Sequence, residues 1–244
     1  MADLLPLFLN LTGRTVLLVG GGSVAASKLG QLVAAGASVR VVAPEVRDEI
    51  AGLARSLEPD GSTPSNADLP TITIARRAFA PADLEGVWLV VAAAIPEVNR
   101  QVAEAAERLH LFVNAVDDPA NASAYLSGVV RRDGVTLAIS TSGDAPALTS
   151  LLREGLDAML PRELGAWVEE ARLERAEWRK ERVPMQERKP RLLRALNALY
   201  RASVERPSFG DAISSSGASI DPVGGALERG PRVPWLSGPE DSWL

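Results

Sequence analysis

The chain has 244 residues, 46% of them apolar, and 31 acidic against 26 Lys and Arg side chains give a formal net charge of -5. That length buries a sizeable core, in one large domain or in a main domain with an appendage, and the acidic balance excludes a general nucleic-acid binder, which needs a basic surface to neutralise phosphates. Cysteine is absent, which removes disulfides, thiolate metal sites, iron–sulfur ligation and cysteine nucleophiles together.

In chain order, the apolar run 4–11 follows Asp3 rather than a basic segment and lacks a small-residue cleavage site, so it does not read as a secretory signal. No later run is long and charge-free enough to span a bilayer, and a cytoplasmic protein with no membrane partner is expected. Residues 15–19 (Thr-Val-Leu-Leu-Val) read as a buried strand and 23–35 as a helix. Between them, Gly20-x-Gly22-x-x-Ala25 makes a phosphate-binding turn, because glycines allow a tight strand-to-helix turn and let bare backbone approach a pyrophosphate. The helix N-terminus then faces the anion with unpaired N–H groups and a favourable dipole. Ala35-Gly36-Ala37 ends the helix and 38–43 form a second strand, closing a βαβ unit of about 30 residues that suits a dinucleotide such as NAD.

The acid that usually grips the adenosine ribose is displaced here. Its position is Ala43-Pro44, and Glu45 is the first carboxylate. Glu45 or the backbone around Pro44 meets the ribose, or Glu45 is a solvated first-turn residue of the next helix; both readings stand. No arginine follows directly to meet a 2′-phosphate, although Arg40 and Arg47 are near, so NAD is preferred to NADP.

A helix over 46–57, a polar surface loop over 58–70, a strand over 71–75, a doubly buried strand over 87–92, a helix over 97–109 and a strand over 111–116 follow. Strands alternating with helices imply a parallel sheet covered on both faces, with ligands at the carboxyl ends of its strands. The loops after Val19, Ala43, Ala92 and Val116 then crowd one edge, and Asp117-Asp118-Pro119 falls there. Residues 125–131 and 135–140 read as an antiparallel hairpin through Arg132-Asp133-Gly134. A polar turn over 141–146 leads into a helix through 160, and helices over 161–182 and 185–201 separate near Pro184. From 203 the chain is rich in Ser, Gly and Pro with scattered Trp, a composition without a packed core of its own.

Several of these segments together resemble one family, the precorrin-2 dehydrogenases, which include the dehydrogenase module of siroheme synthase and in some members also act as sirohydrochlorin ferrochelatases. The matching residues are Leu5-Pro6-Leu7-Phe8-Leu9, Val19-Gly20-Gly21-Gly22-Ser23-Val24-Ala25 with Lys28, and Val41-Val42-Ala43-Pro44-Glu45. Farther on come Asn99, Val113-Asn114-Ala115-Val116-Asp117-Asp118-Pro119, Ile139-Ser140-Thr141, Pro146-Ala147-Leu148 and Leu151-Leu152-Arg153. Order and spacing agree over about residues 4–160.

The resemblance implies an α/β fold: a Rossmann-type parallel sheet binding NAD over 1–114, a hairpin dimerisation region over 115–150 and a small helical C-terminal domain over 151–202. The tail 203–244 lies beyond it. It implies a homodimer holding a tetrapyrrole in the cleft, and NAD-dependent oxidation of precorrin-2 to sirohydrochlorin on the way to siroheme or cobalamin. The family's catalytic aspartate carries over as Asp117, and its NAD contacts as Gly20, Gly21, Gly22, Ser23, Val24, Pro44 and Glu45.

The reaction's chemistry is compatible with Asp117, since removing a hydride and a proton needs a base within hydrogen-bond reach of the proton. Asp118 beside it would raise its pKa if both were shielded from water. Locally, Asp-Asp-Pro reads as a turn; in the family's context Asp117 is catalytic and Asp118 serves the turn. The chain departs from the family where Ala92-Ala93-Ala94-Ile95-Pro96 replaces a commonly polar pair, where Ala124-Tyr125-Leu126-Ser127 lacks the hairpin's usual proline, at Ser142-Gly143, and at Ser27. Two alternatives are a bifunctional enzyme that also inserts Fe(II) and a non-catalytic NAD-sensing domain.

His110 is the only histidine, so no histidine metal cluster forms within one chain, and no resident metal is expected. Arg131, Arg132 and Arg153 either pair with substrate carboxylates or are exposed charges. Trp167 and Trp178 fall on one helix face and suit core packing, and the Arg/Glu run over 172–188 reads as a solvated face.

Overall fold

A computed structural model describes residues 4–58 and 69–204; most of the expected 58–70 loop and the tail from 205 lie outside the described residues. The chain divides after Val183 into two compact units.

In the first unit β1 (Thr15–Val19), β2 (Ser38–Val42), β3 (Ile72–Ala75), β4 (Leu89–Ala92) and β5 (Val113–Ala115) form one sheet in the order β3-β2-β1-β4-β5. Every pairing is parallel, and Val19 stands opposite Val42 on one side and Ala92 on the other. The connections are helical: α1 (Ser23–Ala34) between β1 and β2, α2 (Asp48–Ser56) before β3, and α3 (Pro96–Glu107) before β5. Side chains alternate across the sheet, which gives it two buried faces. Val16, Leu18, Val39, Val41 and Val91 pack under Ala25, Leu29 and Leu32 of α1 and Ile50 of α2. Leu17, Val19, Val90 and Val113 pack under Val102, Ala105 and Ala106 of α3. The strand order reverses between β1 and β4, so a crevice opens beyond the carboxyl ends of these two strands, the usual ligand position in open parallel sheets.

A buried carboxylate pins the segment between β3 and β4. Asp83 is 4% exposed. Arg77 donates from both terminal nitrogens to its two oxygens, and the amide of Ala80 donates to Oδ2 at 2.9 Å. The Arg77 guanidinium, together with that amide, holds the Asp83 carboxyl below the usual carboxylate range. Arg40 of β2 donates to the Asp83 carbonyl at 2.9 Å.

β6 (Gly128–Arg132) and β7 (Val135–Ile139) form the antiparallel hairpin, followed by α4 (Pro146–Met159) and α5 (Leu164–Glu181). Arg132 is a strand residue opposite Val135 rather than part of the turn. The turn is Asp133-Gly134 alone, with φ of 49° and 84°, the two positive values that a two-residue hairpin turn matching the strand twist requires.

Other boundaries also differ from the sequence reading. β4 starts at Leu89, not 87, because Val87 closes a turn onto the Leu84 carbonyl and Trp88 is 60% exposed. The Arg14 guanidinium lies 4.2 Å from the Trp88 ring centre. β5 is only three residues long, since Leu111 still bonds back to Ala106 of α3 and Phe112 is exposed. β6 starts at Gly128, not 125. On α5, Trp178 is buried and gives its indole N–H to Glu174 at 2.8 Å. α6 (Met185–Val204) is the described part of the second unit and carries Pro190 in its interior, at the cost of one helical hydrogen bond. Among the described residues no helix is long and apolar enough to cross a membrane.

Candidate active site

The glycine turn is held from both sides by backbone. Gly20 has φ of +130°, and a Cβ there would lie 2.2 Å from the Ala93 carbonyl oxygen; one on Gly21 would lie 1.9 Å from that of Glu45. The amide of Gly20 donates to Val42 at 3.0 Å, and the Gly21 carbonyl accepts from Arg47 at 3.0 Å. The turn after β1 is therefore wedged between the loops after β4 and β2. Buried Asn99 fixes the former loop by accepting from the Ala94 amide at 3.1 Å, which gives a structural role to a residue the sequence reading left without one.

Gly22 differs: nothing lies within 4 Å of where its Cβ would be. It is the extended N-cap of α1, the helix has no side-chain cap and no acid in its first turn, and Ser23 and Val24 are exposed. A crevice of about 660 Å³ opens beside it, lined by Gly21, Gly22, Glu45, Val46, Arg47 and the start of α2. Close backbone approach, open space at Gly22 and an uncapped helix N-terminus fit the pyrophosphate of a nicotinamide dinucleotide. Glu45 lines this crevice, and Pro44 before it is exposed but does not line it. Arg47 is tied to Glu49 by bonds of 2.8 and 3.3 Å, which hold the Glu49 carboxyl below its usual range. Arg40, bonded to the Asp83 and Glu85 carbonyls, does not line it.

At the end of β5 the chain turns sharply. Val116 donates to Ala92 at 2.9 Å, and Asp117 takes φ of +56°, a left-handed conformation that Asp and Asn adopt more readily than most residues. The Asp118 side chain accepts from Asn121 at 2.9 Å, within the turn. The Asp117 side chain is exposed and lines a cavity of about 200 Å³ with Lys28, Asn114, Tyr125, Ser127 and Thr141. Thr141 also braces α4, accepting from the Ala145 amide at 3.2 Å and meeting Thr149 at 3.0 Å.

Asn114, 6% exposed, gives its amide N–H to the Ala124 carbonyl at 3.0 Å, while its Oδ1 has no partner. Lys28 approaches from α1; burial lowers its pKa and the charge of Asp117 opposes that shift. The sequence reading gave Lys28 and Asn114 no role, and the available signal was polar residues interrupting apolar stretches of α1 and β5.

The turn at Gly20–Gly22 and Asp117 thus share the carboxyl edge of one sheet, two strands apart. The candidate arginines do not join them. Arg132 is spent on the carboxyl end of α4, donating to the carbonyls of Leu160 at 3.0 Å and Asp157 at 2.8 Å. Arg153 pairs with Glu154 at 3.3 Å, and Arg131 is exposed. His110 is an exposed turn residue with φ of 55°.

The chain is similar to several known proteins. Siroheme synthase 2 of Aeromonas hydrophila subsp. hydrophila is 46% identical over 168 residues, 68% of this chain and 33% of that protein. The siroheme synthase of Zymomonas mobilis subsp. mobilis is 37% identical over 207 residues, 83% of this chain and 40% of that protein. The chain thus spans about a third of the length of such curated relatives. A solved structure titled "SirC, precorrin-2 dehydrogenase" superposes with a TM-score of 0.59 at 23% identity, over 82% of this chain and 94% of that one, and so shares the fold. Residues 7–128 match the family model described as "Putative NAD(P)-binding", and with half its length matched the chain belongs to that NAD(P)-binding family.

Proposed function

We propose that this chain is an NAD-dependent precorrin-2 dehydrogenase that forms sirohydrochlorin for siroheme or cobalamin biosynthesis. The observation carrying this reading is the position of Asp117, on a cavity wall at the sheet edge that also bears the uncapped glycine turn. The extensive identity with siroheme synthases over two thirds of the chain supports it.

The backbone of Gly20–Gly22 and the first turn of α1, with Ser23 and Val24, hold the coenzyme's pyrophosphate, and Glu45 with the Pro44 backbone meets its ribose. Glu45, Asp48 and Glu49 make that crevice acidic, and Arg47 is already paired; this favours NAD over NADP by repelling a 2′-phosphate. Bound NAD+ supplies the hydride acceptor. Asp117 accepts the proton that leaves the macrocycle as the new double bond forms, so two hydrogens depart as hydride and proton.

A homodimer fits the surface: Leu148, Leu151 and Leu152 of α4 are 41–65% exposed. Sedimentation at micromolar concentration reports this directly, and a monomer rejects it. The decisive test of function is anaerobic incubation with precorrin-2 and NAD+, following macrocycle and NADH absorbance together. Equimolar NADH and sirohydrochlorin are expected; coenzyme binding without turnover would favour the sensing alternative.

A further inference from the structure

Resting on the tetrapyrrole reading above, we infer that Lys28 is a substrate-binding residue that pairs with a peripheral carboxylate of the macrocycle and orients it over Asp117.

Lys28 lies beside the apolar stripe Ala25, Leu29 and Leu32 that anchors α1 to the sheet. A lysine flanking such a stripe ordinarily extends its ammonium into water. Lys28 is instead half-buried and lines the cavity, where it carries the only positive charge among the described lining residues. No hydrogen bond or ion pair ties it to any described residue. Burial of an unpaired ammonium is unfavourable, and its lowered pKa reflects that burial.

Asn114 also lines this cavity, with its Oδ1 buried behind the surface and without a partner. Its orientation follows from the other half of the amide, which donates to the Ala124 carbonyl. An ammonium without a hydrogen-bonded partner in this cavity matches a ligand with carboxylates at its rim, the chemistry of an acidic tetrapyrrole. The charge of Asp117 favours the ammonium without pairing with it directly, which leaves direct pairing to an anionic ligand.

The test is titration of the wild-type protein, Lys28→Met and Lys28→Arg with sirohydrochlorin under anaerobic conditions, alongside NAD titration and steady-state kinetics. Lys28→Met is expected to weaken sirohydrochlorin binding about 10-fold or more, to leave NAD affinity unchanged, and to raise KM for precorrin-2 more than it lowers kcat. Lys28→Arg retains most of the binding, and raised salt erodes the wild-type advantage. Unchanged sirohydrochlorin affinity in Lys28→Met, with a lower kcat and a displaced pH profile, would overturn the inference and make Lys28 a residue acting through Asp117. A wild-type protein that fails to bind sirohydrochlorin at all refutes the tetrapyrrole reading itself, a distinct outcome.

Discussion

Gly21 and Glu45 are in backbone contact: a single methyl group on the glycine would stand 1.9 Å from the glutamate's carbonyl oxygen. The contact joins the turn after β1 to the turn after β2, and neither side is a flexible side chain able to move aside. Gly21→Ala is therefore expected to cost about 1–3 kcal/mol, as overpacking does, and to lower both the melting temperature and NAD affinity. Gly22→Ala provides the contrast, because its neighbourhood is empty. That variant should keep a near-wild-type melting temperature and lose coenzyme affinity, since its methyl would occupy the space proposed for the pyrophosphate. Equal stability losses in the two variants would contradict the assignment of separate roles.

Asp117 holds a left-handed backbone conformation that asparagine also adopts readily. Asp117→Asn thus removes the proposed proton acceptor while keeping the turn. NADH formation from precorrin-2 is expected to fall about 10²–10⁴-fold, the usual contribution of a positioned acid or base, with NAD binding and melting temperature preserved. Asp118→Asn, whose side chain serves the turn through Asn121, should retain most of the rate.

Asp83 links stability to pH. Its carboxyl is held low chiefly by the hydrogen bonds from Arg77, so the folded protein binds a proton there less readily than the unfolded chain. A depressed carboxyl contributes stability that is complete above the ordinary carboxylate range and is lost as pH falls below it. Asp83→Asn is expected to destabilise the protein by about 2 kcal/mol at pH 7. Denaturant unfolding at pH 7 and near pH 3 checks the sign: the gap between wild type and variant should shrink in acid.

Arg132 acts on structure. Its guanidinium satisfies two carbonyls at the carboxyl end of α4 and pairs with Asp157 at 2.7 Å. Arg132→Ala should cost about 1–2 kcal/mol through the lost bonds while leaving sirohydrochlorin affinity unchanged. Arg131→Ala, on an exposed side chain, should alter stability by less than about 0.5 kcal/mol. A large loss of tetrapyrrole binding in Arg132→Ala would restore the anion-binding role that its geometry argues against.

Much of the architecture is legible in the sequence. Residues 16–19 are too apolar to alternate as a one-sided sheet would, and with the following helix and the strand over 38–42 they specify a parallel βαβ unit. The glycine turn and the loop at Asp117 follow from that, because parallel strands bring their carboxyl ends to one edge. The ends of β4 and β5 were misjudged because Val87, Leu111 and Phe112 are apolar yet serve turns or face solvent, where hydrogen-bond direction matters more than side-chain type.

Local sequence determined the strands, the helices and the positions where only glycine fits. Tertiary structure alone decided the partners: Lys28 facing the Asp117 cavity across more than eighty intervening residues, Asn114 left with an unmet oxygen, and Arg132 drawn away from any ligand to the end of α4. Strand and helix periodicity arises within a few residues, whereas charge pairing and burial depend on which distant segments the packed sheet brings together.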